Sequence, residues 1–273
     1  MISKPSLDTL YSWNIVRPWL APIVYAARMS SKGQMSMGLK QLQGQWLTKW
    51  DEMHSTIVWP HITLAAPFFF VHPDPGRVRS RPTKLIVGKA THKSWYMDTF
   101  DGAKNKPISE RIEEREEATR DFLEYHANHH RSSFWVLFRS LARDASVIWT
   151  NAAKIGVCRP SDESNPINPW GPFLKAQEKL AEDTLQAELQ EYKPDLVFLV
   201  TGNDELNCIV DAVFGPRDRW EKGSALGKPF WFLQPSGGCP PVLHTGHPGF
   251  KTAIERNAWV DKAKELLASS PAS

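Results

Sequence analysis

Cysteine is scarce in this chain. Cys158, Cys208 and Cys239 are the three present, and they stand far apart with no C-x-x-C pair. That spacing argues against a zinc ribbon or an iron–sulfur cluster and favours a reducing compartment. No stretch approaches the roughly 18 uninterrupted apolar residues that a membrane span requires. Arg17, Pro18 and Pro22 interrupt the apolar N-terminal stretch, so a signal-peptide layout is missing as well. These absences lead us to expect a soluble, cytoplasmic protein with no membrane partner. Charge of one sign is also lacking. A formal net charge of +3 does not announce a nucleic-acid partner, and any basic surface must be local. Two motifs are missing too: the phosphate loop G-x-x-x-x-G-K-[ST] and the nucleophile elbow G-x-S-x-G.

What is present is ordinary in bulk and unusual in one residue type. The 273 residues are 41% hydrophobic and 23% charged, enough for a single domain with a substantial core. Twelve of them are tryptophan, and six of these (Trp13, Trp19, Trp46, Trp50, Trp59 and Trp95) fall within the first 95 positions. Tryptophan is chiefly core or interface mass. Residues 1–80 are therefore expected to be a helical, Trp-rich extension packed on a core spanning 81–267. Pro18 and Pro22 break its helices, and a proline- and aromatic-rich loop at 60–82 is expected to cross the surface.

Four short apolar runs punctuate the remainder: Lys84–Gly88, Ser146–Asn151, Asp195–Gly202 and Pro241–Thr245. Continuous rather than alternating apolar residues suit strands buried on both faces of a parallel sheet. Phe230–Leu233 is a further possible strand. Helical spacing is found over Met37–His54, Ser109–Arg131, Phe134–Leu141, Leu174–Tyr192 and Lys251–Leu267. Strands alternating with helices predict an α/β domain built on a mostly parallel, four-stranded sheet. Ligands of such sheets bind beyond the carboxyl ends of the strands. That directs attention to Gly88–Phe100, Asn151–Gly156, Thr201–Asn207 and His244–Phe250.

Several side chains in or near these segments admit two readings. Gly88–Trp95 is a strand-to-loop turn or the wall of a pocket. Asn151 ends a buried strand, where an unsatisfied amide is costly. It is either an Asx-type cap or a side chain offering one acceptor and two donors to a planar, amide-like edge such as a nucleobase. His126, His129 and His130 suit solvated imidazoles at a helix C-terminus better than a metal site. His244 and His247 lack a third Cys, Asp or Glu beside them, which leaves a metal pair the weakest of their readings. Cys158 and Cys208 read as inert thiols.

Taken in order, the four strand ends resemble the uracil-DNA glycosylase superfamily. The corresponding segments are L-I-V-G-K-A-T-H-K-S-W (85–95), V-I-W-T-N-A-A-K-I-G (147–156), P-D-L-V-F-L-V-T-G (194–202) and V-L-H-T-G-H-P-G-F (242–250). The resemblance covers about residues 80–267. It implies a three-layer αβα sandwich, a flipped base and metal-free, cofactor-free cleavage of an N-glycosidic bond. By motif, His247 would donate to the base carbonyl O2 as negative charge develops on the leaving base. Asn151 would read the Watson–Crick edge. The turn Gly88, Lys89, Ala90, Thr91 and His92 would line the pocket, with Trp95, Tyr96 or Phe100 stacking on the base. Pro248, Gly249 and Phe250 would enter the duplex with Phe250 as wedge, while Lys251 and Arg256 would hold phosphates.

The departures are specific. Ala90 occupies the position where many members carry a water-activating Asp or Asn, Lys89 replaces a Gln, and Gly249 replaces a Ser. Asp98, Asp101, His92 and Asn151 are the available substitutes for the water-handling group, with Asp98 first. A wider pocket at this motif fits a damaged or hypermodified pyrimidine, such as glucosylated hydroxymethylcytosine in phage DNA, as well as uracil. The expectation is a monomeric, monofunctional DNA glycosylase that leaves an abasic site. No lysine is placed by motif for a Schiff base. The rivals are a non-catalytic nucleic-acid-binding module on the same fold and an enzyme of free nucleosides or nucleotides.

Overall fold

The computed structural model describes residues 37–56, 63–69, 81–90, 105–158, 171–202, 206–234 and 239–269. In chain order the elements are α1 (Met37–Thr56), β1 (Thr63–Leu64), β2 (Thr83–Gly88), α2 (Ile108–His129), α3 (Ser133–Leu141), β3 (Ser146–Asn151) and β4 (Val157–Cys158). There follow α4 (Gly171–Tyr192), β5 (Leu196–Leu199), α5 (Asn207–Phe214), β6 (Glu221–Ala225), β7 (Lys228–Leu233), β8 (Val242–His244) and α6 (Ala253–Ser269). Single 3-10 turns occupy Arg217–Arg219 and Pro248–Phe250.

The central sheet has the order β3-β2-β5-β8-β7-β6. Its first four strands are parallel and are the four apolar runs of the sequence. The last two join antiparallel, so the sheet is mixed and six-stranded, and the expected four-stranded sheet is corrected. The reason is visible in β6: Glu-Lys-Gly-Ser-Ala carries no apolar pattern and is exposed at three of its five positions. Such an edge strand forms because its hairpin partner pulls it in. Glu221 pairs with Phe232 and Ala225 with Lys228, across a two-residue turn at Leu226 and Gly227. Both turn residues have positive φ (51° and 75°), the type I′ geometry that matches strand twist.

Alternate residues of the buried strands feed two cores. Leu85, Val87, Val197, Leu199 and Val242 pack with Trp46 and Trp50 of α1, Phe173 and Leu185 of α4 and Ile209 of α5. Ile86, Phe198, Val200 and Leu243 pack on the other face with Trp135 and Phe138 of α3 and Trp259 and Leu266 of α6. Helices therefore cover both faces of the sheet, which is why the parallel strands read as unbroken apolar runs.

Two further expectations change. The 60–82 segment is not simply a surface crossing, because Leu64–Phe69 is buried. Its β1 pairs with β4, and the amides of Ala65 and Phe68 donate to the Gly156 and Lys154 carbonyls (2.9 and 3.0 Å). That satisfies a buried backbone that would otherwise be costly. Helix α5 is also additional: its eight residues are too few to show a helical period. Residues 1–36, and with them Trp13, Trp19 and the breaks at Pro18 and Pro22, lie outside the described residues. Trp46 and Trp50, by contrast, are buried core, and the Trp46 indole donates to Thr184 Oγ1 at 2.8 Å.

Candidate functional site

Because β3, β2, β5 and β8 run parallel, their carboxyl ends share one edge. Gly88 and Asn151 stand opposite each other in register there. Gly88 is required by close approach: a Cβ at this position would lie 2.5 Å from Asn151 Oδ1 and 3.0 Å from Trp149 Nε1. The Asn151 amide thus lies against the backbone of Gly88, with its oxygen toward it. The side chain is 1% exposed, and Nδ2 has no hydrogen-bond partner among the described residues. A cap would engage Oδ1 alone, so under either reading a buried donor is left over at Nδ2.

The turn behind Asn151 is bolted down. Ala152 and Ala153 amides donate to the Gly88 and Lys89 carbonyls, both at 2.9 Å. From α4, Gln177 clamps Ile155 in both directions (3.1 and 3.0 Å). Deeper still, Lys154 Nζ meets Glu188 Oε1 at 2.7 Å, and Thr150 bonds to the same carboxylate (2.9 and 3.0 Å). Both charged side chains are buried, and desolvation lowers the Lys154 pKa against the pull of Glu188. Glu188 and its lysine partner were not singled out from sequence. Lys154 lay in plain view within the N-A-A-K-I-G segment, but a lysine after a strand normally signals solvent.

The two histidines at the end of β8 separate cleanly. His244 is fully buried, with Nε2 2.9 Å from Thr201 Oγ1 and its ring edge-on to Trp220. Burial, with the nearby Arg217 charge second, pushes its pKa down to about 3. His247 instead caps the Pro248–Phe250 turn, and its Nδ1 accepts the Gly249 amide at 3.2 Å. An Nδ1 that accepts leaves the neutral ring's proton on Nε2. Burial, with the Lys89 charge second, lowers the His247 pKa to about 4. His247 is thus a neutral imidazole at pH 7 with an N–H to offer. Lys89 lies across the end of β5: a Cβ on Gly202, whose φ is +77°, would be 3.3 Å from both its Cε and its Nζ.

Other expected site residues divide. Ala90 is half-buried and packs against the core, with no polar atom to give. Pro248 is buried and Gly249 exposed; the Phe250 side chain lies outside the described residues. Lys251 is partly exposed, with its ammonium 3.9 Å from the Glu255 carboxylate. Arg256 Nη1 donates to the Lys251 carbonyl and so ties the turn to the start of α6. Thr252 and Glu255 form a reciprocal cap that starts α6, Thr252 N to Glu255 Oε2 at 2.8 Å and Glu255 N to Thr252 Oγ1 at 3.2 Å. Thr91, His92, Trp95, Tyr96, Asp98, Phe100 and Asp101 lie outside the described residues.

No group of three or more His, Cys, Asp or Glu among the described residues is arranged to hold a metal. Burial and Glu178 raise the Cys208 thiol to about 11, which suits an inert sulfur. No helix among the described residues is long and apolar enough to cross a membrane. Neither a family model nor a curated protein sequence matches the chain.

Proposed function

We propose that the chain is a monofunctional DNA glycosylase on the three-layer sandwich of the uracil-DNA glycosylase superfamily. It acts as a monomer on a uracil or a modified pyrimidine flipped out of DNA. The observation that carries the reading is His247: a neutral ring, its Nδ1 engaged by the Gly249 amide, on the same sheet edge as the unpartnered Nδ2 of Asn151.

Heterolysis of the N-glycosidic bond leaves positive charge on the sugar and negative charge on the base. A neutral Nε2–H directed at the base oxygen strengthens its hydrogen bond as that charge grows. Such a preorganised donor is typically worth about 3–4 kcal/mol of barrier. An imidazolium would bind the neutral ground state tightly too, so neutrality favours selective stabilisation. Asn151 Nδ2 supplies a second donor to an acceptor on the flipped base, and the ammonium of Lys89 adds positive potential beside the leaving anion. Ala90 cannot orient the attacking water. That role passes to another group of the first loop, with Asp98 the first residue to substitute. The same absence would also be met in a binding module without catalysis.

The test is abasic-site formation on duplex and single-stranded oligonucleotides carrying uracil, hydroxymethylcytosine or glucosylated hydroxymethylcytosine. Release of one of these by the wild type, slowed at least a hundredfold by His247→Ala and by Asn151→Ala, is the expected result, at about the cost of losing one preorganised donor. Binding without release of any base would establish the module instead. Release of uracil alone would refute the widened pocket.

A further inference from the structure

We propose that the last turn of α2 and the residues after it form a stacking platform for the DNA strand flanking the flipped nucleotide. The proposal rests on the reading above that the partner is DNA. Its first ground is position. Helix α3 runs antiparallel to β3: the carbonyl of Leu141, at its C-terminus, is held by Lys84 at the start of β2 (3.0 Å). Near its N-terminus Phe134 lies 5.3 Å from the ring of Trp149, two residues before Asn151. The junction between α2 and α3 therefore sits at the same sheet edge as Asn151 and His247. The Pro248–Phe250 turn also packs on α3.

The second ground is an unbroken chain of edge-on and stacked ring contacts. From Trp149 it passes to Trp135 (5.5 Å) and on to His126, which stacks on Trp135 at 5.7 Å and 16°. It ends at the surface, where Tyr125 and His129 lie stacked at 5.2 Å and 29°. Tyr125 is 61% exposed, and His129, His130 and Arg131 are exposed as well. The imidazoles of His129 and His130 are held by backbone bonds, His129 Nδ1 to the Tyr125 carbonyl (2.9 Å) and His130 Nδ1 from the Ser132 amide (3.1 Å). An ordered, open aromatic face stacks on any base and needs no sequence.

The third ground is charge. Acidic residues are spread through α2 as far as Glu124, and then cease: Tyr-His-Ala-Asn-His-His-Arg, 125–131, has none. Carbonyls at the end of a helix ordinarily repel phosphate. Here Arg139 donates to two of them, Ala127 (3.1 Å) and His130 (2.9 Å). Arg131 is left to meet a phosphate.

Fluorescence anisotropy with an end-labelled duplex of about two helical turns and the matching single strand tests the platform. The variants are Tyr125→Ala/His129→Ala, Arg131→Gln and, as a control on the far hairpin, Lys222→Gln. At about 1–3 kcal/mol per stacked base, the double variant should bind about tenfold more weakly or worse, with an unchanged melting temperature. Arg131→Gln should lower the slope of log K against log salt by about one, and Lys222→Gln should change neither. Binding by the double variant within twofold of wild type would overturn the platform, as would a wild type that binds no DNA. Weakened binding without release of any base would keep the platform and refute the glycosylase reading. Base release with unweakened variants would do the reverse.

Discussion

The two halves of the sheet obey opposite rules. Strands β3, β2, β5 and β8 are mostly buried, and their polar side chains stand at the strand ends: Thr83, Lys84 and Ser146 at the amino ends, Thr150, Asn151 and His244 at the carboxyl edge. There the buried Asn151 Nδ2 has no hydrogen-bond partner among the described residues. The β6–β7 hairpin has the reverse character: Glu221, Lys222, Ser224 and Lys228 face solvent and its turn is exposed. A buried unsatisfied donor costs roughly 1–3 kcal/mol, whereas polar groups on a solvated hairpin cost little. The parallel half therefore carries a penalty at its edge that the hairpin does not. A ligand with a matching acceptor would remove it.

The largest way to sharpen this contrast is to break the ion pair behind Asn151. Glu188→Ala leaves the Lys154 ammonium buried without its carboxylate, with Thr150 Oγ1 still accepting from it, and should cost about 3–5 kcal/mol, read from chemical denaturation. A loss under 1 kcal/mol would show that the pair contributes nothing net. Next in size is acid sensitivity. His244 and His247 have folded pKa values of about 3 and about 4, below the unfolded value near 6.5. The unfolded chain thus binds more protons, so stability is full above pH 6.5 and falls as pH drops from there toward 3. Each group contributes up to about 1.4 kcal/mol per pH unit across its window. His247→Gln should flatten the part between pH 6.5 and 4, and an unchanged profile would sink the assignment.

Gly88→Ala comes third. The added methyl meets Asn151 Oδ1, so about 1–3 kcal/mol of stability should go, together with most base release. In the hairpin the corresponding test works the other way. Leu226 is 64% exposed at φ +51°, a conformation that asparagine tolerates better. Leu226→Asn should raise stability by about 0.5–1 kcal/mol and leave any activity untouched. Destabilisation there would mean that the leucine packs on something.

The same contrast explains what sequence made legible. Unbroken apolar runs located all four parallel strands, and helical periods located α1, α2, α3, α4 and α6, because burial on one or both faces leaves a pattern. Burial leaves none in Glu-Lys-Gly-Ser-Ala, whose strand exists through its partner, nor in α5, which is shorter than the pattern that would reveal it. At the site, strand-end position pointed to Asn151 and His247. It could not show that Arg256 would turn back onto the Lys251 carbonyl, or that Lys154 would be buried, because a side chain's direction depends on contacts remote in sequence.

The central claim is that His247 is a neutral hydrogen-bond donor at this edge, and its imidazole nitrogens can be observed directly. Long-range proton–nitrogen NMR on nitrogen-15-labelled protein, titrated from pH 3 to 8, assigns the tautomer and the protonation midpoint. The account predicts a neutral ring protonated on Nε2 from pH 5 to 8, with its midpoint near 4. A ring that is cationic at pH 7, or neutral with its proton on Nδ1, would contradict it.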